Sequence, residues 1–221
     1  MREHRLFWRE FRENFTTTGA FLPSGKALSR ALARFVRNEK TGLRVLEVGP
    51  GTGSVTRQIV ARLPATATLD LVEANPAFAD WLRQRQQDDP RLAALGDRMT
   101  VHNCYVQELA VGGKYDVIVS GLPLNNFAPD VVRSILTTLT SHLAPGGTLS
   151  FFEYIAVRRL RAIVSGSQQR RRLREIGEAI DNVLAGHEIA RDRVLQNAPP
   201  AWVHHVRFSD SVDKPHSGDA G

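Results

Sequence analysis

The stretch Leu43-Arg-Val-Leu-Glu47-Val-Gly49-Pro-Gly51-Thr-Gly53 decides how this chain is read. An apolar run from Leu43 to Val48 meets glycines at three alternating positions. A helical pattern then starts at Ser54. The order is strand, tight turn, helix start. Such a turn lets backbone come close to a ligand and aims N–H groups at it. The spacing is Glu-x-Gly-x-Gly-x-Gly, which differs from the Gly-x-Gly-x-x-Gly of dinucleotide folds.

This turn resembles the first motif of class I S-adenosylmethionine (SAM) methyltransferases. The resemblance implies that Gly49, Gly51 and Gly53 approach the methionine part of SAM. Glu47, just before the turn, would hold its ammonium or order the loop. A second acid supports this. Glu73 ends the next apolar run, Leu69-Asp-Leu-Val-Glu73, some 20 residues after the turn. An acid there can accept both ribose hydroxyls of an adenosyl cofactor. Asn75-Pro76 then starts a helix.

The rest of the chain fits one domain. It has 221 residues, with 42% hydrophobic and 24% charged, as in an ordinary soluble globular protein. A single cysteine, Cys104, rules out an internal disulfide and suits a reducing compartment. No apolar run reaches the ~20 residues needed to span a bilayer. The expected location is cytoplasmic, with any membrane contact peripheral and at the inner face. The net charge is +6, which favours anionic partners. Seven arginines and no acid lie between Arg158 and Arg174, so this segment carries the whole surplus.

Strands are expected at 43–48, 68–73, 99–103, 115–120, 147–154, 188–196 and 202–208. Helices fall at 24–38, 54–63, 76–87, 129–142 and 168–185. Alternation of the two predicts a doubly wound parallel sheet. Only Asn197-Ala-Pro-Pro200 separates the last two strands, so these form an antiparallel hairpin. This arrangement resembles the Rossmann-like seven-stranded sheet of class I methyltransferases, which implies helices on both faces. Ahead of it, residues 5–15 read as an amphipathic helix with Phe7, Trp8, Phe11 and Phe15 on one face. Three segments follow: amphipathic or lid helices over 1–38, the methyltransferase domain over 39–208, and a disordered tail over 209–221.

Two further stretches fall at strand ends. Val101-His-Asn103-Cys-Tyr105 closes the third strand. Methyltransferases often place an acid here to hold the adenine amino group; in this chain Asn103 can hydrogen-bond the adenine edge and Tyr105 can pack on it. Ser120-Gly-Leu122-Pro123-Leu-Asn125-Asn126-Phe127 follows the fourth strand. It is a looser version of the (Asp/Asn/Ser)-Pro-Pro-aromatic loop of amino-methylating enzymes. By that resemblance the Ser120 side chain and the Leu122 carbonyl beside Pro123 hold the amine, with Ser120 also near the cofactor.

Ser120-Gly-Leu-Pro-Leu124, Thr18-Gly-Ala-Phe-Leu-Pro-Ser24 and Asn197-Ala-Pro-Pro-Ala201 together resemble bacterial phospholipid N-methyltransferases, over roughly residues 5–208. Those enzymes methylate phosphatidylethanolamine toward phosphatidylcholine. The resemblance implies that Thr18 and Gly19 form part of a lid over SAM. The lipid headgroup would meet Asn125, Asn126, Tyr154, Arg158, Arg159 and Arg161. A lipid-facing role suits the front helix, which can lie in a membrane interface. The arginines would add electrostatic attraction to an anionic leaflet. At the end of the fifth strand, Tyr154 can face a quaternising ammonium and Glu153 can take its proton. His187, His204 and His205 lie on the last strands and read as structural. No spacing of His, Cys, Asp and Glu reads as a metal site, and a monomer is expected. Two rival readings share the fold. One is an rRNA adenine methyltransferase, whose Asn-(Leu/Ile)-Pro-Tyr loop is absent here. The other is a non-catalytic membrane-surface protein.

Overall fold

The computed structural model describes residues 25–37, 41–110, 112–155, 167–197 and 199–208. The front helix with Phe7, Trp8, Phe11 and Phe15, the lid residues Thr18 and Gly19, the arginines 158, 159 and 161, and the tail lie outside the described residues.

The first described helix, α1 (Lys26–Leu32), runs into a 3-10 turn at Ala33–Phe35. Then β1 (Arg44–Val48), α2 (Ser54–Val60), β2 (Thr68–Val72), α3 (Pro76–Asp88) and the short α4 (Pro90–Ala93) follow. After them come β3 (Met99–His102), β4 (Tyr115–Ser120) and α5 (Pro129–His142). The described residues end with β5 (Leu143–Tyr154), α6 (Ser167–Leu184), β6 (Glu188–Val194) and β7 (Ala201–Arg207). The seven described strands form one sheet in the order β3-β2-β1-β4-β5-β7-β6. Pairing is parallel from β3 through β5 and antiparallel for β5–β7 and β6–β7.

The inner strands are apolar on both sides because both faces of the sheet are covered. Leu46 and Val48 of β1 join one cluster, with Val132, Ile135 and Leu136 of α5 and Ile176 and Ile180 of α6. Val45 points the other way, into a second cluster with Leu28 and Leu32 of α1 and Val55 and Ile59 of α2. The α1 helix is thus built into the core of the sheet's second face.

Strand β5 starts four residues earlier than its pattern suggests. Tyr115 pairs with Leu143, but Val117 already pairs with Thr148, so Ala144–Gly147 bulge out of register. Proline within a sheet is confined to edges and bulges, and Pro145 lies in this bulge. The strand order reverses direction between β1 and β4. In an open α/β sheet the crevice outside the carboxyl ends at this point is where ligands bind. The Gly turn leaves β1 there, and the Ser120 loop leaves β4 beside it.

Candidate active site

The two loops at the crevice are pressed against each other. The Gly121 amide donates to Val48 O at 2.8 Å, and the Gly49 amide donates to Val72 O at 2.9 Å. Gly49 has φ +71°, and a Cβ there would stand 2.6 Å from Leu122 Cδ2. Glycine is therefore required at Gly49 for close approach. Gly51 has φ +54° but nothing within 4 Å of a Cβ position, so the turn leaves open space there.

Two acids flank that space. Glu73 is 8% exposed. Its Oε2 accepts the Gly51 amide at 3.0 Å and its Oε1 accepts the Asn75 amide at 2.8 Å. One carboxylate so shapes the turn and the start of α3. Each oxygen keeps a second lone pair for a ligand hydroxyl. Burial is the main cause that pushes the Glu73 carboxyl up, and the amides that it accepts oppose this. Asn103 donates from Nδ2 to Glu73 O at 2.8 Å, which fixes its side chain at the same edge.

Glu47 differs. It is fully buried, and neither carboxylate oxygen has a hydrogen-bond partner in hydrogen-bonding geometry. Thr56, in α2, turns its hydroxyl and amide toward it without closing a hydrogen bond, and that hydroxyl is itself unsatisfied. Burial pushes the Glu47 carboxyl up to about 8; Thr56 partly opposes this and the Glu73 charge adds to it. An orphaned buried acid next to an open glycine turn fits a ligand that brings positive charge. An adenosyl cofactor with a cationic end satisfies this test. Glu47 would hold the cation, Gly51 would admit it, and Glu73 and Asn103 would meet the nucleoside.

The loop after β4 is more closed than its sequence suggests. Ser120 is fully buried, and its Oγ accepts the Leu122 amide at 3.4 Å. Pro123 leads into a 3-10 turn at Leu124–Asn126. Asn125 is 1% exposed, and neither its Oδ1 nor its Nδ2 has a hydrogen-bond partner. Asn126 is half-buried. Arg172 of α6 donates to Phe127 O at 3.0 Å and so ties α6 to this loop. Beside it a cavity of about 570 Å³ is lined by Pro129, Gln168, Gln169, Arg171, Arg172 and Glu175.

At the end of β5, alternation sends Glu153 and Tyr154 to opposite faces. Tyr154 packs with Phe152 at 5.1 Å between ring centroids and borders the α1 cluster. Glu153 lies on the α6 face, where His204 approaches it at 3.5 Å. The sequence offered no signal for that pairing, nor for the contacts that Asn197 makes. That side chain accepts the Gly25 amide at 3.1 Å and donates to Pro199 O at 2.9 Å. The Asn-Ala-Pro-Pro loop thereby anchors the segment that follows Thr18–Ser24.

A methyltransferase-domain family profile matches residues 19–201. An ornithine lipid N-methyltransferase from Singulisphaera acidiphila is 28% identical over 150 residues, covering 68% of this chain and 77% of its own length. Among solved structures, an O-methyltransferase from Bacillus cereus in complex with S-adenosylhomocysteine superposes with a TM-score of 0.63 at 14% identity, covering 91% of this chain and 90% of that one. A Streptomyces achromogenes O-methyltransferase of tomaymycin synthesis, solved with SAM, gives 0.59 at 14% identity, over 83% and 79%.

Proposed function

This chain belongs to the methyltransferase-domain family, and from that premise we propose that it N-methylates the amine of a membrane lipid headgroup, the ethanolamine of a phospholipid, toward phosphatidylcholine. It is a SAM-dependent methyltransferase. SAM supplies a methyl group on a sulfonium, an electrophile that needs only a correctly aligned and desolvated acceptor. This chain's residues bind and align. Glu47 offers a buried carboxyl that gives up its proton to meet the cationic end of the cofactor. The backbone at Gly51 makes room, and Glu73 and Asn103 define the edge for its nucleoside.

The observation that carries the lipid reading is the kinship with an enzyme whose name specifies an amino-lipid acceptor. The Ser120–Asn126 loop supports it. Its buried Asn125 has an unmet donor and an unmet acceptor, and the Leu122 carbonyl precedes Pro123 at the crevice. The cavity beside it, with Arg171 and Arg172 in its wall, suits the anionic part of a headgroup. Arg158, Arg159, Arg161 and the front helix would hold the enzyme to the leaflet at the inner face of the membrane. No described helix is long and apolar enough to cross a membrane.

The test is transfer of labelled methyl from SAM to phosphatidylethanolamine vesicles, ornithine-lipid vesicles or rRNA. Label in phosphatidylethanolamine is expected. Label confined to ornithine lipid would correct the headgroup, and label only in RNA would overturn the lipid reading.

A further inference from the structure

Resting on the amine-methylation reading above, we propose that Glu153 takes the acceptor's proton and that His204, bracketed by Glu153 and Glu188, stores it during methyl transfer. Methylating an ammonium headgroup releases one proton per methyl, and the nitrogen has no free electron pair until that proton leaves.

Three strands place the groups. Antiparallel pairing sets Phe151 opposite His204 and Glu153 opposite Trp202. His204 is 2% exposed and stacks on Phe151 at 5.4 Å. Its Nδ1 lies 2.7 Å from Glu188 Oε1. Its Nε2 is buried, makes no hydrogen bond, and faces Glu153 Oε1 at 3.5 Å. Val119 pairs with Ser150, so Glu153, three residues on, lies past the end of β4 at the carboxyl edge of the sheet.

The chemistry follows from counting protons. A neutral imidazole donates one N–H, here from Nδ1 to Glu188. That leaves the Nε2 lone pair facing an oxygen of the Glu153 carboxyl at 3.5 Å, with no hydrogen bond between them. A proton that arrives on Glu153 and passes to Nε2 supplies the missing bond, so the resting pair is empty of that proton and takes it from the acceptor. Arg191 sits opposite His204 on β6, with its guanidinium 5.0 Å from the Trp202 ring. The neighbouring His205 pairs with Ser150 and Asp192 instead. From α6, the apolar Ile176 and Ile180 join the cluster that holds Phe151.

The step balances. The ammonium N–H bond breaks and its proton passes to the Glu153 carboxylate. The electron pair left on nitrogen is the nucleophile. Glu153 hands the proton to His204 Nε2, and the imidazolium is held through Nδ1–H by Glu188. When product leaves, the proton returns through Glu153 to water. Glu153 is the catalytic residue; His204 and Glu188 act through it.

The full chain is assayed with phosphatidylethanolamine vesicles across pH 6 to 10. Proton-transfer groups contribute ~10²–10⁴-fold, so Glu153→Gln should lower kcat about 100-fold. His204→Gln should lower kcat about tenfold or more near neutral pH with KM and SAM affinity unchanged. That loss should fade toward pH ~10, where an amine sheds its own proton. Wild-type kcat across the whole range in His204→Gln would overturn the assignment. Should His204→Gln not fold, the exposed-side variant Glu188→Gln must show the same pH-dependent loss. The NMR titration of the His204 ring must also shift in Glu153→Gln, and an unshifted titration would overturn the pairing. Wild-type enzyme that methylates no amino lipid would instead defeat the acceptor assignment.

Discussion

At the scale of single residues, Glu47 and the glycines carry the proposed cofactor site. The Glu47 carboxyl is held near 8 by burial, against an ordinary value of 4.5. A cationic cofactor favours its ionised form, so binding expels a proton. SAM affinity should therefore rise as pH climbs from 6 toward 8, by up to about tenfold per pH unit, and Glu47→Gln should flatten the slope. Calorimetric titration at three pH values checks this. The same shift acts on stability. Between pH 4.5 and 8 the folded state keeps a proton that the unfolded state has lost, so this group's contribution falls as pH rises. Gly49 and Gly51 should separate in effect. Gly49→Ala drives a Cβ into Leu122, and overpacking of this kind costs about 1–3 kcal/mol. Gly51→Ala meets open space and costs only the left-handed backbone, about 1–2 kcal/mol, but its methyl would enter the room proposed for the cofactor. Thermal melts beside SAM titrations should show Gly49→Ala losing mainly stability and Gly51→Ala mainly affinity. The Glu-x-Gly-x-Gly-x-Gly spacing made these positions legible. That Glu47 stands unpaired was not, since its surroundings come from α2 and β2.

At the scale of elements, the far half of the sheet is tied to the front of the chain. Arg34 donates to Asp192 at 2.7 Å, Asp192 lies 3.2 Å from His205 Nε2, and His205 Nδ1 lies 2.8 Å from Ser150 Oγ. The 3-10 turn after α1 is thus linked to β6, β7 and β5 in series. Burial lowers the His205 pKa, and Asp192 only partly restores it. The unfolded state then binds the proton first, so this contribution is present at neutral pH and is lost as pH falls below ~6.5. His205→Gln should reduce the drop in melting temperature between pH 7 and pH 5. The second tie is Asn197. Asn197→Ala leaves the Gly25 amide without its partner and should cost about 1–3 kcal/mol, with cleavage near residue 25 in limited proteolysis. Short connections made the β6–β7 hairpin readable. The pattern of β5 hid its first four residues, because a bulge breaks the alternation that marks a strand. Asn197 reaches across 172 positions, which local pattern cannot report.

At the scale of the molecule, one sheet serves chemistry at one edge and helices on both faces. The lipid reading predicts that the full chain floats with anionic vesicles, less so at high salt. Removing residues 1–15 should weaken flotation and spare SAM affinity. Equal recovery with neutral and anionic vesicles would remove the electrostatic part, and an undiminished truncation would remove the helix. The sequence by itself determined the alternation of strands and helices, the glycine turn with its two acids, and the methyltransferase-domain family, because periodicity and turn chemistry are local. Only the tertiary structure decided that Glu47 is an orphan, that Glu153 and Tyr154 part to opposite faces, and that His204 meets Glu153. Those relations are set by strand order, register and burial, which join residues that lie far apart along the chain.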